Sequence, residues 1–250
     1  MPTDFFTFVG ASLQGYGQTA DELLGRMDLA GVGRAVVCPT KPRGYHLGPA
    51  NDEAAALART SPRLVPFARV DPLQGEDAVR ELERAVRALG ARGLFLHPWE
   101  ESFRISSPVV DPVAEAASAL RLPLLIATGY PWVSEAPQVG ELARRYPRLR
   151  IIMTHGGQIN ISGLGQTDAW HVLQERTNVC IETSGVYRQD FLEEVVGTFG
   201  PERVLFGSSS PIMDMRLEIA RVQQARVPEA DRALMLQGNA ERLLRASEEE

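Results

Sequence analysis

Eight short apolar runs recur along the chain, and their regular spacing constrains the fold more than any other feature of the sequence. Most are nearly continuous in Val, Ile, Leu and Phe, which is typical of strands buried on both faces of a parallel sheet. Their spacing of about 30 residues is the length of one strand followed by one helix. The runs are DFFTFV, RAVVC, RLVPFARV, RGLFLH, LPLLIAT, LRIIMTH, NVCIETS and RVLFGS, beginning at residues 4, 34, 63, 92, 122, 149, 178 and 203.

Helical patterns occupy the gaps between these runs. In the segment 19–31, Thr19 and Glu22 have capping-box spacing, and Gly31 provides a stop signal. The segment 75–90 carries an apolar stripe and ends in glycine. A third helix is predicted to begin with Asp111 as its cap. Further helices are predicted near 137–146, 167–176, 190–199, 213–225, 228–236 and 240–246.

Eight alternating units within 250 residues predict an α/β fold, a single (β/α)8 TIM barrel. We expect one domain over residues 1–250, with a frayed acidic tail at about 246–250. A doubly wound open sheet is the alternative. It favours fewer strands and a G-x-G-x-x-G turn after the first strand, which the sequence GASLQGYG does not match.

Charge and composition narrow the classes of partner. The formal net charge of -6 argues against nucleic acid or an anionic membrane as the main partner. No apolar run approaches the roughly 20 residues that cross a bilayer, and the N-terminus does not resemble a signal peptide. Cys38 and Cys180 are distant in sequence and favour buried thiols over a disulfide. We expect a cytoplasmic protein with a small-molecule substrate, and homo-oligomer formation is left open.

The carboxyl ends of the predicted strands carry the candidate site, because TIM barrels place their chemistry there. Within the first strand, Asp4, Phe6 and Phe8 lie two residues apart, so the alternation of an extended strand predicts that they share one face. The strand ends present, in order, Phe6 and Phe8, Cys38, Arg69, His97, Ala127 and Thr128, His155, Glu182 and Thr183, then Ser208 and Ser209.

These strand ends and their flanking motifs resemble the amidohydrolase superfamily, in the branch that includes aminocarboxymuconate-semialdehyde decarboxylase. The resemblance extends over nearly the whole chain and implies a TIM barrel. The motifs that carry it are ELLGRMDLAGVGRAVV, FARVDP, ARGLFLHP, LPLLIATG, IIMTHGG, ETSG, PERVLFGSSSP and GNAERLL.

The family's metal-ligand positions are replaced in this sequence. The first strand of the family normally ends in His-x-His, where this chain has Phe6 and Phe8. The fifth strand usually supplies a histidine and the eighth an aspartate, where this chain has Ala127 and Ser209. Phenyl rings and a methyl group cannot coordinate a cation. We therefore expect no metal and no other cofactor, with the phenyl rings filling the vacated space or lining an apolar pocket.

Two histidines at strand ends are retained. His155 occupies the position of the histidine that serves as acid/base in the decarboxylase-like branch, so it is the predicted general acid/base. Glu182, from the next strand, either orients His155, acts as a second acid/base, or pairs with an arginine such as Arg69. His97 is a further catalytic candidate, and its alternative is a purely structural His-Pro turn.

The substrate-binding residues are predicted from the same strand ends and the loops after them. Aromatic residues in barrel-top loops are typical of an apolar binding surface. For Ser209 in the GSSSP loop the alternatives are a nucleophile activated by His155, part of an anion-binding loop, and a plain turn. The predicted substrate contacts are Phe6, Phe8, Arg69, Trp99, Thr128, Tyr130 and Ser209.

The predicted function is a metal-independent enzyme that moves protons on a small, partly apolar organic substrate. Isomerisation, elimination, cyclisation and decarboxylation all fit such a site. One alternative is a non-catalytic descendant that acts as a binding protein or partner subunit. Another is a metal-dependent hydrolase or decarboxylase with a relocated metal site drawn from His97, His155, Glu182 or Asp214.

Overall fold

Parallel strands alternate with helices along the chain. The structure, a computed structural model, describes residues 1–44, 46–159 and 164–246. The strands are β1 (Thr3–Ala11), β2 (Gly17–Gln18), β3 (Arg34–Pro39), β4 (Leu64–Pro66), β5 (Ala68–Arg69), β6 (Leu94–Leu96), β7 (Leu124–Ile126), β8 (Ile151–Met153), β9 (Val179–Glu182) and β10 (Val204–Leu205). The helices are α1 (Ala20–Ala30), α2 (Gly48–Ala58), α3 (Glu76–Leu89), α4 (Pro98–Glu101), α5 (Asp111–Ala119), α6 (Ala136–Arg145), α7 (Leu164–Glu175), α8 (Gln189–Phe199), α9 (Met215–Gln223), α10 (Glu229–Ala233) and α11 (Asn239–Ala246).

The strands form a closed ring. β1, β3 and β4 pair in parallel, and β4 continues through Phe67 into β5. From β5 the parallel order runs through β6, β7, β8 and β9 to β10. The segment after β10 then returns to β1: the Phe5 amide donates to the Phe206 carbonyl at 2.9 Å, and the Phe8 amide donates to the Ser210 carbonyl at 2.8 Å. The predicted single (β/α)8 barrel is confirmed, and an open sheet is excluded.

A β-bulge in β1 changes which residues face the barrel interior. Relative to β3, β1 has one extra residue between Asp4 and Thr7. As a result Phe5, Phe6 and Phe8 all belong to the interior apolar cluster. The Asp4 carboxylate accepts a hydrogen bond from the Phe6 amide at 3.1 Å. The predicted common face for Asp4, Phe6 and Phe8 is therefore wrong, because the bulge interrupts the alternation between Asp4 and the two rings.

The barrel has two apolar cores. The larger lies between the strands and the surrounding helices. The smaller fills the interior, where Phe67 and Phe95 are buried and Phe67 packs edge-to-face on Phe5 with ring centroids 5.6 Å apart. Ala240 and Leu244 of α11 belong to the same cluster, so this helix covers the amino-terminal end of the barrel.

The predicted helices are present with small differences at their ends. The Thr19–Glu22 capping box and the left-handed Gly31 bound α1 as predicted. Asp111 is not the cap of α5 but its first residue, because a 3₁₀ turn precedes it. The sequence pattern missed α2, an alanine-rich helix whose N-terminus has no side-chain cap. Of the predicted frayed tail, residues 247–250 lie outside the described residues.

In the described ranges no helix combines the length and apolar character that a membrane span requires. Cys38 and Cys180 are both buried free thiols.

Candidate functional site

A cavity of about 220 Å³ opens at the carboxyl end of the barrel. Its size suits a small organic molecule. The aromatic part of its lining consists of Phe6, Phe8, Tyr16, Trp99 and Tyr130. The remaining lining residues are Gln14, His97, Glu100, Ala127, His155, Ser209 and Ile212.

Aromatic contacts fix the walls of this cavity. The Phe6 and Phe8 rings meet edge-to-face with centroids 4.9 Å apart, and Phe6 lies 5.8 Å from the His155 ring. Trp99 stacks on Tyr130 at 5.8 Å. The two phenyl rings from β1 thus occupy the floor beside the imidazole and make it apolar.

His155 follows β8 in a left-handed backbone conformation, with φ 56° and ψ 30°. Its amide donates to Glu182 Oε2 at 3.2 Å, and its Nδ1 lies 3.2 Å from the carbonyl oxygen of Ser184. A carbonyl oxygen can only accept, so this contact places the proton on Nδ1. Within the described residues Nε2 makes no hydrogen bond, and in this tautomer it carries a free lone pair.

Burial lowers the pKa of His155 to about 4, although the Ser184 carbonyl favours the protonated form. The imidazole is therefore neutral at neutral pH. A neutral imidazole with a free Nε2 lone pair is equipped to accept a proton from a bound molecule.

Glu182 lies behind His155, is fully buried, and does not line the cavity. Its carboxyl group accepts from the Ser184 amide and, at 2.8 Å, from the Ser184 hydroxyl. Burial raises its pKa to about 8 against the opposing effect of these hydrogen bonds. Gly207 permits this placement, because a Cβ there would clash with Glu182 Oε1. Glu182 is therefore largely protonated at neutral pH.

Ser184 connects these two groups, and the sequence reasoning missed it. Its hydroxyl oxygen lies 2.9 Å from His155 Nδ1 and also donates to Glu182. The sequence feature that could have identified Ser184 is its position two residues after Glu182 in the ETSG motif. The resulting array of carboxyl, hydroxyl and imidazole holds the ring in place and supports its Nδ1–H group.

His97 lines the cavity, but its Nδ1 is occupied. It caps α4, where Nδ1 accepts from the Glu100 amide at 3.3 Å. Its Nε2 lies 4.0 Å from Glu100 Oε1. Burial lowers the pKa of His97 to about 3, although Glu100 favours its charged form. These contacts favour the structural role for the His-Pro turn.

Arg69 is buried beside the cavity rather than in its lining. Its guanidinium forms ion pairs with Glu100 and, at 2.7 Å, with Glu101, and donates to the Pro39 carbonyl at 3.0 Å. The structure thus does not bring Arg69 to the predicted substrate position, nor does it pair Arg69 with Glu182. A buried guanidinium needs carboxylate partners, and the two glutamates after His97 supply them.

Tyr16 and Glu100 complete the polar edge of the cavity and were not predicted. The Tyr16 hydroxyl donates to Glu100 Oε1 at 2.9 Å. Burial would raise the pKa of Glu100, but His97, Arg69 and hydrogen bonds hold it below its ordinary value. The cavity therefore faces a carboxylate, whereas the neighbouring guanidinium of Arg69 is already paired.

Ser209 and Thr128 differ in whether their hydroxyl groups can contact a bound molecule. Ser209 is buried with φ 54°, and its amide donates to the Phe6 carbonyl at 2.8 Å. Among the described residues its hydroxyl has no hydrogen-bond partner, so it can serve a bound molecule but is not activated by His155. Thr128 instead donates to the Ile126 carbonyl at 2.8 Å and does not line the cavity.

The donor groups do not fit a metal ion. Phe6, Phe8 and Ala127 line the cavity where the family pattern has ligands. Asp214, offered as part of a relocated site, caps α9 and pairs with Arg216 at 2.8 Å. Across residues 1–44, 46–159 and 164–246, no three His, Cys, Asp or Glu side chains converge to hold a metal.

Known proteins share this architecture. The chain is 28% identical over 159 residues to L-fucono-1,5-lactonase of Burkholderia ambifaria, a match that covers 56% of this chain and 53% of the lactonase. It is 25% identical over 244 residues to gamma-resorcylate decarboxylase of Polaromonas sp., which covers 78% of this chain and 75% of that protein. The crystal structure of 5-carboxyvanillate decarboxylase from Sphingomonas paucimobilis superposes with a TM-score of 0.80 at 22% identity, covering 98% of each chain.

The chain thus spans about half the length of the lactonase and three quarters of the curated decarboxylase. Both relatives are enzymes, which supports the prediction that this chain is one. The amidohydrolase family model matches residues 6–246, nearly the whole chain. The protein belongs to the amidohydrolase family.

Proposed function

We propose that this protein is a metal-independent enzyme in which His155 transfers a proton to or from a small, partly apolar organic substrate. The observation that carries the proposal is the hydrogen-bonding pattern of the imidazole. Ser184 engages Nδ1, and the neutral ring keeps an Nε2 lone pair that has no partner among the described residues, beside an aromatic cavity of about 220 Å³. General-base catalysis of this kind contributes about 10²–10⁴ in rate.

The charges around the cavity favour a neutral substrate. Glu100 faces the cavity as a carboxylate, and Arg69 is occupied by two carboxylates. An anionic substrate would meet repulsion and an apolar floor without a free cation from the described lining. Removal of a proton from carbon by His155, followed by its return elsewhere or by loss of a leaving group, fits this environment. Isomerisation, elimination and cyclisation are reactions of that type.

Decarboxylation is the second candidate, and two observations favour it. One curated relative and several structural neighbours are decarboxylases. Loss of CO₂ leaves a carbanion that must take up a proton, and His155 lines the cavity where that proton is needed. Because Nε2 carries no proton in the neutral ring, it would first take one from a hydroxyl group of the substrate and then give that proton to the substrate carbon, which returns His155 to its neutral form.

The proposal of metal independence rests on the side chains at the four positions where the family pattern has metal ligands. Water activation by a bound cation requires about three protein ligands, and the cavity offers phenyl rings and a methyl group at three inherited positions. Ser209, at the fourth, has a neutral hydroxyl, which is a weak ligand for a transition metal.

Deuterium exchange tests the proposal directly. Chelator-treated protein is incubated in D₂O with a panel of small cyclic ketones, enol lactones and hydroxybenzoic acids, and exchange or CO₂ release is followed by NMR. We expect the wild-type protein to process at least one class and His155→Gln to lose the activity. His171→Gln, which alters an exposed histidine on α7, is the matched control. A ligand that binds His155→Gln unchanged and is never turned over by the wild type would instead indicate a binding protein.

A further inference from the structure

A second cavity lies at the opposite end of the barrel from His155. Its volume is about 580 Å³, and it lies where β7 and β8 begin, against α11. Arg121, Arg148, Arg150 and Arg242 line it, and we call it the arginine cavity.

The four guanidiniums have no carboxylate partners within the described parts of the chain. Arg150 donates to the Thr177 carbonyl at 3.1 Å, and Arg242 donates to Asn239 Oδ1 at 3.1 Å. Each guanidinium carries five N–H donors, so most donors in the arginine cavity have no hydrogen-bond partner among residues 1–44, 46–159 and 164–246. By contrast, Arg144 on the neighbouring helix α6 pairs with Glu141 at 2.8 Å.

Four cations around one concavity repel one another unless an anion lies among them. This concentration of positive charge is local, since the chain as a whole carries a net charge of -6. Arginine is also the residue best shaped for phosphate and carboxylate, which it binds with two parallel hydrogen bonds. Leu122, Leu149 and Leu243 supply an apolar wall in the same cavity, against which an organic group can pack.

We propose that the arginine cavity binds a multiply charged anion, such as the pyrophosphate group of a nucleotide. The cavity volume accommodates a molecule of that size, with its charged end on the arginines and its apolar part on the leucines. The sequence continues after Ala246, itself a lining residue, as Ser-Glu-Glu-Glu. The chain's own carboxylates are therefore a second source of the same chemistry.

Calorimetric titration of the full-length protein with inorganic pyrophosphate, and separately with ADP, tests the site at low ionic strength. We expect both probes to bind the wild-type protein and Arg148→Gln/Arg242→Gln to bind them at least about tenfold more weakly. The control Arg59→Gln/Arg87→Gln removes the same charge from exposed arginines outside the cavity, and it should bind like the wild type. His155→Gln should also bind unchanged, which separates this site from the proposed active site.

A chain that ends at Ala246 distinguishes the two sources. Tighter pyrophosphate binding after this truncation assigns the cavity to the chain's own acidic residues, whereas unchanged binding assigns it to a soluble anion. Equal affinities for the wild type and Arg148→Gln/Arg242→Gln would overturn the proposal. So would the absence of binding to both the full-length and the truncated chain.

Discussion

The hydroxyl oxygen of Ser184 lies 2.9 Å from Nδ1 of His155, on the side of the imidazole opposite Nε2. This contact links the cavity to a buried carboxyl group, because the same hydroxyl donates to Glu182 at 2.8 Å. When Nε2 accepts a proton, the Nδ1–H group of the imidazolium keeps the two Ser184 oxygens as acceptors, which stabilises the positive charge. The two nitrogens of one ring thus connect the substrate to Glu182, which itself has no contact with the cavity.

Replacing Ser184 by alanine should lower kcat about 10- to 100-fold while KM stays close to the wild-type value, once a substrate is identified. The substitution removes the hydroxyl link but leaves the Ser184 backbone carbonyl, and therefore the tautomer of His155, in place. Steady-state kinetics measure the two constants separately. Ser134→Ala is the matched control, since Ser134 is also buried and its hydroxyl has no partner among the described residues. A rise in KM alone would contradict this role of the Ser184 hydroxyl.

Chelation should leave the protein unchanged. We expect elemental analysis of protein purified without added metal to find less than one transition-metal ion per chain. Prolonged dialysis against a chelator should alter neither the activity nor the Tm, because a bound ion that favours the folded state would raise the Tm. A stoichiometric metal whose removal lowers the Tm would contradict the reasoning from Phe6, Phe8 and Ala127.

The sequence predicts the barrel well because its strands are buried on both faces and repeat at regular intervals. It also predicts that His155 lies at the strand ends with Phe6, Phe8 and Ala127, and the structure places all four in the lining of one cavity. The β1 bulge escapes prediction because no glycine marks it, and it places Phe5 in the interior with Phe6 and Phe8. Ser184 is not predicted because its role depends on the orientation of the His155 and Glu182 side chains.

The position of Arg69 shows a second limit. A strand-end arginine next to a cavity suggests a contact with substrate. Sequence alone does not show that Glu100 and Glu101 lie beside the guanidinium of Arg69. These residues are adjacent in sequence and belong to the short helix α4, whose entry is shaped by the His97 cap. Only the folded structure reveals that both glutamates pair with Arg69.

Replacing Arg69 by methionine should lower the free energy of unfolding by about 3–5 kcal/mol, because Glu100 would remain as a buried carboxylate without its cation and Glu101 would keep only Lys41, 3.2 Å away. Urea unfolding followed by circular dichroism measures the change. Adding Glu100→Gln and Glu101→Gln to Arg69→Met should recover most of the loss, since the uncompensated charges are then removed.

Arg80→Met is the control for the Arg69 experiment, because it breaks an exposed ion pair with Asp77 and should cost about 0–1 kcal/mol. Similar losses for Arg69→Met and Arg80→Met would contradict the view of Arg69 as a buried structural cation.

The stability of the protein should fall as the pH rises from 6.5 to 8. Burial raises the pKa of Glu182 from 4.5 to about 8 and that of Asp4 from 3.8 to about 7, so the folded state keeps protons that the unfolded chain has released. The stabilisation by these retained protons is complete at pH values below the pKa values of the unfolded chain. It is lost as the pH rises through the pKa values of the folded protein. His155 and His97, with pKa values lowered to about 4 and about 3, have the opposite effect, most of it below pH 6.5.

We expect the free energy of unfolding to fall by about 1–2 kcal/mol for each of the two carboxyl groups over that interval, since one pKa unit corresponds to about 1.4 kcal/mol. Urea unfolding at several pH values measures the slope. Glu182→Gln and Asp4→Asn should each make the slope shallower, whatever their effect on stability at a single pH. Glu76→Gln, which alters an exposed carboxylate on α3, should keep the wild-type slope. A wild-type stability that is constant from pH 6.5 to 8 would contradict the raised pKa values of Glu182 and Asp4.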